Sequence, residues 1–255
     1  LFPLNTLNTM PSIQCALDPV PTWLLKKLQD TLAPTIAAMV NLSFSQGIFP
    51  NSQKHAIVKP LLKKPTLNPL DFKSYRPISN LSFISKVVEK LAVQRFTTHA
   101  ESNHLFPSNQ SAYTKFHSTE TAVTAVHNDI VRAVDSGCVS ALVLLDLSAA
   151  FDTIHHSTLN TVLHDRFGVT SSALDWFDSY HANRTQSVHI GLQSSAPRKL
   201  TRGVPQGSII GPVEFISCTE DLVNLVSLSS ILAHLFADDT QLLASMQLST
   251  VPVSI

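Results

Sequence analysis

Residues 230–246 read SILAHLFADDTQLLASM, two apolar runs on either side of a pair of aspartates. Each flank has the length and β-forming character of a strand. A hairpin is therefore predicted, SILAHLFA (230–237) and TQLLASM (240–246), with Asp238 and Asp239 at its tip. Successive side chains of a strand point to opposite faces, so adjacent carboxylates serve one site only where the backbone turns. Two carboxylates held close raise each other's pKa, and a divalent cation keeps both ionised. Asp is also common at ordinary hairpin tips because it tolerates turn conformations. The pair alone does not decide for a metal.

Asp146 changes that balance. It ends SALVLLDL (140–147), a continuous apolar run of the kind found in a strand covered on both faces. A carboxylate at the rim of a buried sheet is costly without a partner. If this strand lies beside the 230–246 hairpin, three carboxylates meet, enough to hold two Mg²⁺ ions for in-line displacement at phosphorus.

The rest of the chain is read outward from these runs. Thr22 is expected to cap a helix through Trp23 and Leu28, with Pro34 breaking or kinking it before a second apolar stretch to Phe44. Prolines 50, 60, 65, 69 and 77 exclude long helices over 47–80 and favour extended pieces such as HAIVKPLL (55–62). Amphipathic spacing predicts a helix over 82–97, and Ser118 with Thr121 opens another over 118–135. Helices broken at Gly168 are expected over 158–182, then an edge hairpin strand QSVHIGL (186–192). The Gly/Pro loop GVPQGS (203–208) precedes a helix to about Val226.

Charge is balanced overall, 18 basic against 18 acidic residues, but segregated along the chain. Residues 51–100 carry nine Lys and Arg against two acids, and 136–255 carry ten acids against five bases. A basic lobe beside an acidic one suits a protein that holds a polyanion and cations, though solvated faces of opposite sign give the same pattern. Cys15, Cys138 and Cys218 are few and widely spaced, which argues against a disulfide framework or zinc site and for a reducing, intracellular setting. The apolar stretch Leu222–Ala237 is interrupted and too short for a bilayer span, so no membrane association and no secretion are expected.

Six strings in this order resemble one family, the reverse transcriptases of non-LTR (LINE-type) retrotransposons. LLDLSAAFDTIHH (144–156) looks like its first palm motif, GVPQGSIIGP (203–212) like its second and FADDTQLL (236–243) like its metal-binding hairpin. YRPISNLSFISKVVEK (75–90), QSAYTKFHSTETA (110–122) and WFDSYHANRTQSV (176–188) extend the likeness, as does LDPVPTWLLK (17–26). The resemblance implies a mixed α/β (α+β) fold: an N-terminal helical extension over 1–50, fingers over 51–135, and a palm over 136–255 with a small antiparallel sheet packed on helices. It implies an RNA-directed DNA polymerase, a nucleotidyltransferase joining deoxynucleoside triphosphates to a DNA primer on an RNA template. Two Mg²⁺ ions, with Mn²⁺ as a substitute, would be held by Asp146, Asp238 and Asp239. Phe151 would stand as the aromatic gate against a 2′-hydroxyl, and Gln206 and Gly207 would lie against the incoming nucleotide. Arg76, with Lys59, Lys63 or Lys64, would reach the triphosphate. Residues Ser118 and Thr119 fit helix capping better than template contact, and His155 and His156 fit an exposed helix face better than a zinc site.

The chain departs from the family's pattern at His155, where an acid is usual, at Thr114, where Arg is expected, and at Glu214 and Cys218 in a usually apolar and aromatic segment. Phe236 for the commoner Tyr is mild. Burying Glu214 in an apolar helix face is expensive unless it is paired. The chain ends sixteen residues after Asp239, so the thumb, like the endonuclease of a parent polyprotein, is expected outside it. The alternative is a catalytically decayed remnant that only binds nucleic acid. The family's habits place the protein in a nuclear or cytoplasmic ribonucleoprotein.

Overall fold

The computed structural model describes residues 4–107, 109–146, 150–229, 231–247 and 249. Three helices lead the chain, α1 (Leu4–Thr9), α2 (Thr22–Lys27) and α3 (Gln29–Gln46). Strands β1 (His55–Leu62) and β2 (Tyr75–Asn80) follow, then helices α4 (Phe83–Ser102) and α5 (Thr119–Asp135) and strand β3 (Cys138–Asp146). Next come α6 (Ala150–Thr153), α7 (His156–Asp165), α8 (Ser171–His181), β4 (Thr185–Ile190), β5 (Gln193–Ser194) and β6 (Arg198–Lys199). Helix α9 (Gly211–Ser227) and the hairpin β7 (Ile231–Phe236) and β8 (Asp239–Gln247) complete it. The fold is mixed α/β, as expected. It divides into a first unit, Leu1–His99 with Phe151–Gly211, and a second, Ala100–Ala150 with Pro212–Ile255.

In the first unit β1 pairs antiparallel with β2 and parallel with β4, and β4 pairs antiparallel with both β5 and β6. Strand β4 thus makes a hairpin but is not the edge strand expected from its alternation. Pro60 stands opposite Pro77 in the β1–β2 register. Neither can donate, so this is a non-hydrogen-bonded pair whose missing N–H groups face away from the ladder. The core is aromatic. Phe49 meets Trp176 and Tyr180 edge-on at 5.5 and 5.0 Å, and the Trp176 indole N–H donates to Ser43 Oγ at 3.0 Å.

Two expectations for the first helices, a cap at Thr22 and a break at Pro34, fail. Thr22 is not a cap but the first helical residue, and its hydroxyl donates to the Ile13 carbonyl. Pro34 neither ends nor starts a helix, because the break falls at Leu28 and α3 runs through it. As the sixth residue of α3, Pro34 leaves only the Asp30 carbonyl, in the first turn, without its donor. Helix α3 ends on Gly47 at φ 65, where a Cβ would stand 2.7 Å from Asp175 Cβ. Only glycine lets α8 approach so closely.

In the second unit β8 is the centre of a three-stranded antiparallel sheet of order β3-β8-β7. Residues 109–111 run beside the outer edge of β7, the Leu235 N–H donating to Asn109 O and Ser111 N–H to Leu235 O, both at 2.9 Å. Helix α5 opens as predicted on a capping box, the Ser118 hydroxyl accepting from Thr121 N–H while the Thr121 hydroxyl accepts from Ser118 N–H. Strand β3 is not covered on both faces. It is an edge strand, and Leu142 to Leu145 are between 41% and 69% exposed. An apolar run satisfies the pattern for a buried strand whether or not neighbours cover it, so its position had to come from tertiary structure. The described residues hold three unpaired cysteines and no helix long and apolar enough to cross a membrane.

Candidate active site

The β3–β8 ladder ends on Asp146 opposite Asp239, and the β7–β8 ladder ends on Phe236 opposite Asp239. Directly opposed residues of an antiparallel pair share a face, with Cβ atoms about 5 Å apart. Asp146 and Asp239 are therefore neighbours on one face although 93 residues separate them in sequence. The same face carries the Ser140–Ser245 pair, whose hydroxyls meet at 3.0 Å, an independent sign of the register. One row inward lie Leu144, Gln241 and His234, and His234 Nε2 meets Asp129 of α5 at 2.8 Å.

Ala237 and Asp238 form the two-residue turn between Phe236 and Asp239. Ala237 has φ 56, an unfavourable value for an L-residue and one that a hairpin turn requires at its first central position. The turn separates Asp238 from the strand geometry of Asp239, as adjacent carboxylates serving one site need. Tyr113 lies near enough to Asp238 to feel its charge: burial first, then Asp238, pushes the phenol pKa up.

The three carboxylates do not close into a finished cage. Among the described residues no three His, Cys, Asp or Glu side chains gather at metal-ligating distance. The donors nevertheless fit Mg²⁺, a hard cation that takes oxygen ligands and is commonly bound by one or two carboxylates completed by substrate phosphates and water. Asp146 and Asp239 supply an exposed pair of that kind, with Asp238 beside them on the turn.

The remaining candidate residues, Lys59, Arg76, Phe151, Gln206 and Gly207, belong to the first unit. Lys59 pairs with Ile78 and Leu61 with Arg76, so Lys59 and Arg76 share one face of the β1–β2 ribbon as diagonal neighbours, about 7 Å apart. Both are exposed. Because Pro60–Pro77 is a non-hydrogen-bonded pair, Ser79, two residues on, also turns its N–H outward. It donates to the Gln206 carbonyl at 2.7 Å. The strand bearing Arg76 is thereby tied to the GVPQGS loop.

Gly207, at φ 113, has the Ser79 carbonyl where a Cβ would stand, at 2.8 Å. Its bareness is used by the protein's own strand. Gly203 is packed likewise on Phe151 O and Asp152, while Val204 N–H donates to Phe151 O and Gly203 N–H to Ile154 O. Phe151, Gln206, Gly207 and β2 thus form one assembly.

Behind that loop is a group that the sequence pattern hid. Glu89 is wholly buried in α4; its Oε2 accepts from Ile209 N–H at 2.8 Å, and its Oε1 from Ser85 and Tyr180 hydroxyls, each at 3.1 Å. Burial raises its pKa, against the lowering effect of Arg184 and of these hydrogen bonds. His156 is not on an exposed helix face either. Its Nε2 lies 2.8 Å from Gly203 O and its ring stacks on His181 at 4.6 Å. The only sequence signal for Glu89 was its place among Val87, Val88 and Leu91. Glu214 is buried, as the apolar helix face required.

Residues 61–251 match the family model described as reverse transcriptase (RNA-dependent DNA polymerase). This chain belongs to the reverse transcriptase family. The matched span holds Arg76, Phe151, Gln206, Gly207 and the three aspartates, and Lys59 lies just before it. The domain is of the non-LTR, LINE-type class. It is 30% identical over 236 residues to a probable RNA-directed DNA polymerase from transposon BS of Drosophila melanogaster, covering 90% of this chain and 26% of that protein. It is 31% identical over 206 residues to a probable RNA-directed DNA polymerase from transposon X-element of the same species, covering 79% and 22%. To the RNA-directed DNA polymerase from mobile element jockey of Drosophila funebris it is 28% identical over 225 residues, covering 86% and 24%. The domain thus spans about a quarter of the length of these relatives. Among solved structures, apo telomerase from Candida tropicalis, truncated from its C-terminal domain, shares the fold with a TM-score of 0.53 at 10% identity, over 84% of this chain and 49% of that one.

Proposed function

We propose that this chain is the fingers and palm of an RNA-directed DNA polymerase that adds deoxynucleotides to a DNA primer on an RNA template inside the cell. The observation that carries the reading is the register that sets Asp146 opposite Asp239 beside the turn bearing Asp238. These three side chains would hold two Mg²⁺ ions, with Mn²⁺ able to replace them. Such ions would supply Lewis acidity at the primer 3′-hydroxyl and positive charge for the leaving pyrophosphate.

The chain's own residues do the rest. Arg76 offers a fork of donors to triphosphate oxygens and Lys59 a point charge on the same face. Phe151 stands as the gate that disfavours a 2′-hydroxyl, and its backbone is pinned to the loop of Gln206 and Gly207. Gln206 lies against the nucleotide, and Gly207 fixes the loop on β2.

Primer extension on an RNA template with Mg²⁺ tests the reading, with Asp238→Ala as control. Extension that the substitution abolishes is expected. If the unsubstituted chain binds the primer–template duplex but never extends it, the chain is a decayed remnant that only binds nucleic acid.

A further inference from the structure

The turn that carries Asp238 is held from outside the hairpin. Gln110 is 3% exposed, and its Oε1 accepts two backbone N–H groups, Ala112 at 2.9 Å and Ala237 at 3.1 Å. Residues 109–111 pair with Leu235 through backbone groups alone, and a parallel ladder continued one rung further would offer a backbone carbonyl to Ala237. The chain leaves the edge instead, reaching φ 59 at Tyr113, and the Gln110 carboxamide takes the place of that rung. Thr114 Oγ1 donates back to the carbonyls of Gln110 and Ala112, at 3.1 and 3.3 Å, and fixes the departing loop.

This arrangement ties the loop and the turn to one acceptor. Gln110 Nε2 is buried without a hydrogen-bond partner among the described residues. A buried unpaired amide N–H is destabilising, but an aliphatic side chain of equal size would instead leave the Ala112 and Ala237 N–H groups without their acceptor. The carboxamide's acceptor is committed to Ala237, the residue of left-handed φ beside Asp238. In a two-residue hairpin the N–H of the first turn residue takes no part in the ladder, so only an outside acceptor can fix it.

We infer that Gln110 is a positioning residue for catalysis: by clamping the Ala237 N–H it sets where the turn presents Asp238 to the metal ions. This rests on the polymerase reading above. Gln110 itself touches neither substrate nor metal in this role. Side-chain placement within fractions of an ångström decides how well a preorganised site works, so a loosened turn should act on the chemical step.

Gln110→Leu keeps the volume and removes the acceptor, while Gln110→Glu keeps acceptor oxygens. Two readouts on the 255-residue chain decide: hydrogen–deuterium exchange of the Ala237 amide, and the Mg²⁺ half-activation point and kcat of primer extension. Gln110→Leu should speed exchange, lower kcat on the order of tenfold and raise the Mg²⁺ half-point, with KM for deoxynucleotide unchanged. Gln110→Glu should restore both readouts. Faster exchange without any change in kcat or Mg²⁺ half-point would make the clamp merely structural and overturn the inference. Unchanged exchange in Gln110→Leu would remove the clamp itself. An unsubstituted chain that never extends would sink the polymerase reading and the catalytic role together, while exchange would still report whether Gln110 holds the turn.

Discussion

Asp146 and Asp239 face each other across the last rung of the β3–β8 ladder, where like charges directly opposed repel. Without metal, Asp146→Asn should stabilise the chain by about 0.5 kcal/mol. With millimolar Mg²⁺ the order should reverse, because only the unsubstituted pair gains from binding the cation. Extension by the variant should fall roughly a hundredfold or more. Thermal unfolding with and without Mg²⁺ checks the sign change; a variant stabilised equally by Mg²⁺ would exclude Asp146 as a ligand.

Lys59 and Arg76 share a face of the β1–β2 ribbon, and neither is drawn into the core. Arg76→Ala should therefore leave the fold intact and raise KM for deoxynucleotide about tenfold, the loss of one charge-assisted phosphate contact. Lys59→Ala should act in the same direction and less strongly. Steady-state kinetics at fixed primer–template, with unfolding curves as control, measure both. Equal KM values for variant and unsubstituted chain would take Arg76 out of the nucleotide site.

Glu89 makes stability depend on pH. Its folded-state pKa is raised, chiefly by burial, so the folded chain holds the proton more tightly than the unfolded chain. Below the ordinary glutamate value both states are protonated and nothing is lost. As pH rises above it the unfolded chain ionises first, stability falls, and the loss is complete once the folded value is passed. Glu89→Gln should flatten this part of the profile, measured by urea unfolding from about pH 4 to about pH 8. An unchanged slope would mean that Glu89 does not set it.

Features that depend on neighbours in sequence were legible from it. Strand β1 falls on HAIVKPLL, the aspartate hairpin on its two apolar flanks, and α5 on the Ser118–Thr121 capping box. Features that depend on distant partners were not. Nothing around LVLL marks β3 as an edge strand, and nothing near His156 announces a bond to Gly203. Gln110 stands in a loop without periodicity, and Glu89 looked like one more polar residue between apolar ones. For the candidate site, the residues could be named from their motifs. The opposition of Asp146 and Asp239 and the β2–Gln206 tie needed the register of three strands.

That tie leaves Gly207 little open to change. Its φ of 113 lies where an L-side chain is strained, and a Cβ would meet the Ser79 carbonyl at 2.8 Å, an approach set by the Ser79 N–H bond to Gln206. Backbone on both sides of the contact is committed, so relief requires moving β2 away from the loop. Gly207→Ala should cost roughly 2 kcal/mol in folding stability and raise KM for deoxynucleotide, since Arg76 sits on the strand that moves. Gly191→Ala, at φ 60 with nothing near its Cβ position, carries backbone strain without the clash and should cost less, about 1 kcal/mol, with KM unchanged. Urea unfolding and steady-state kinetics on both variants separate the two effects, and equal losses would show that the contact with Ser79 adds nothing to the strain.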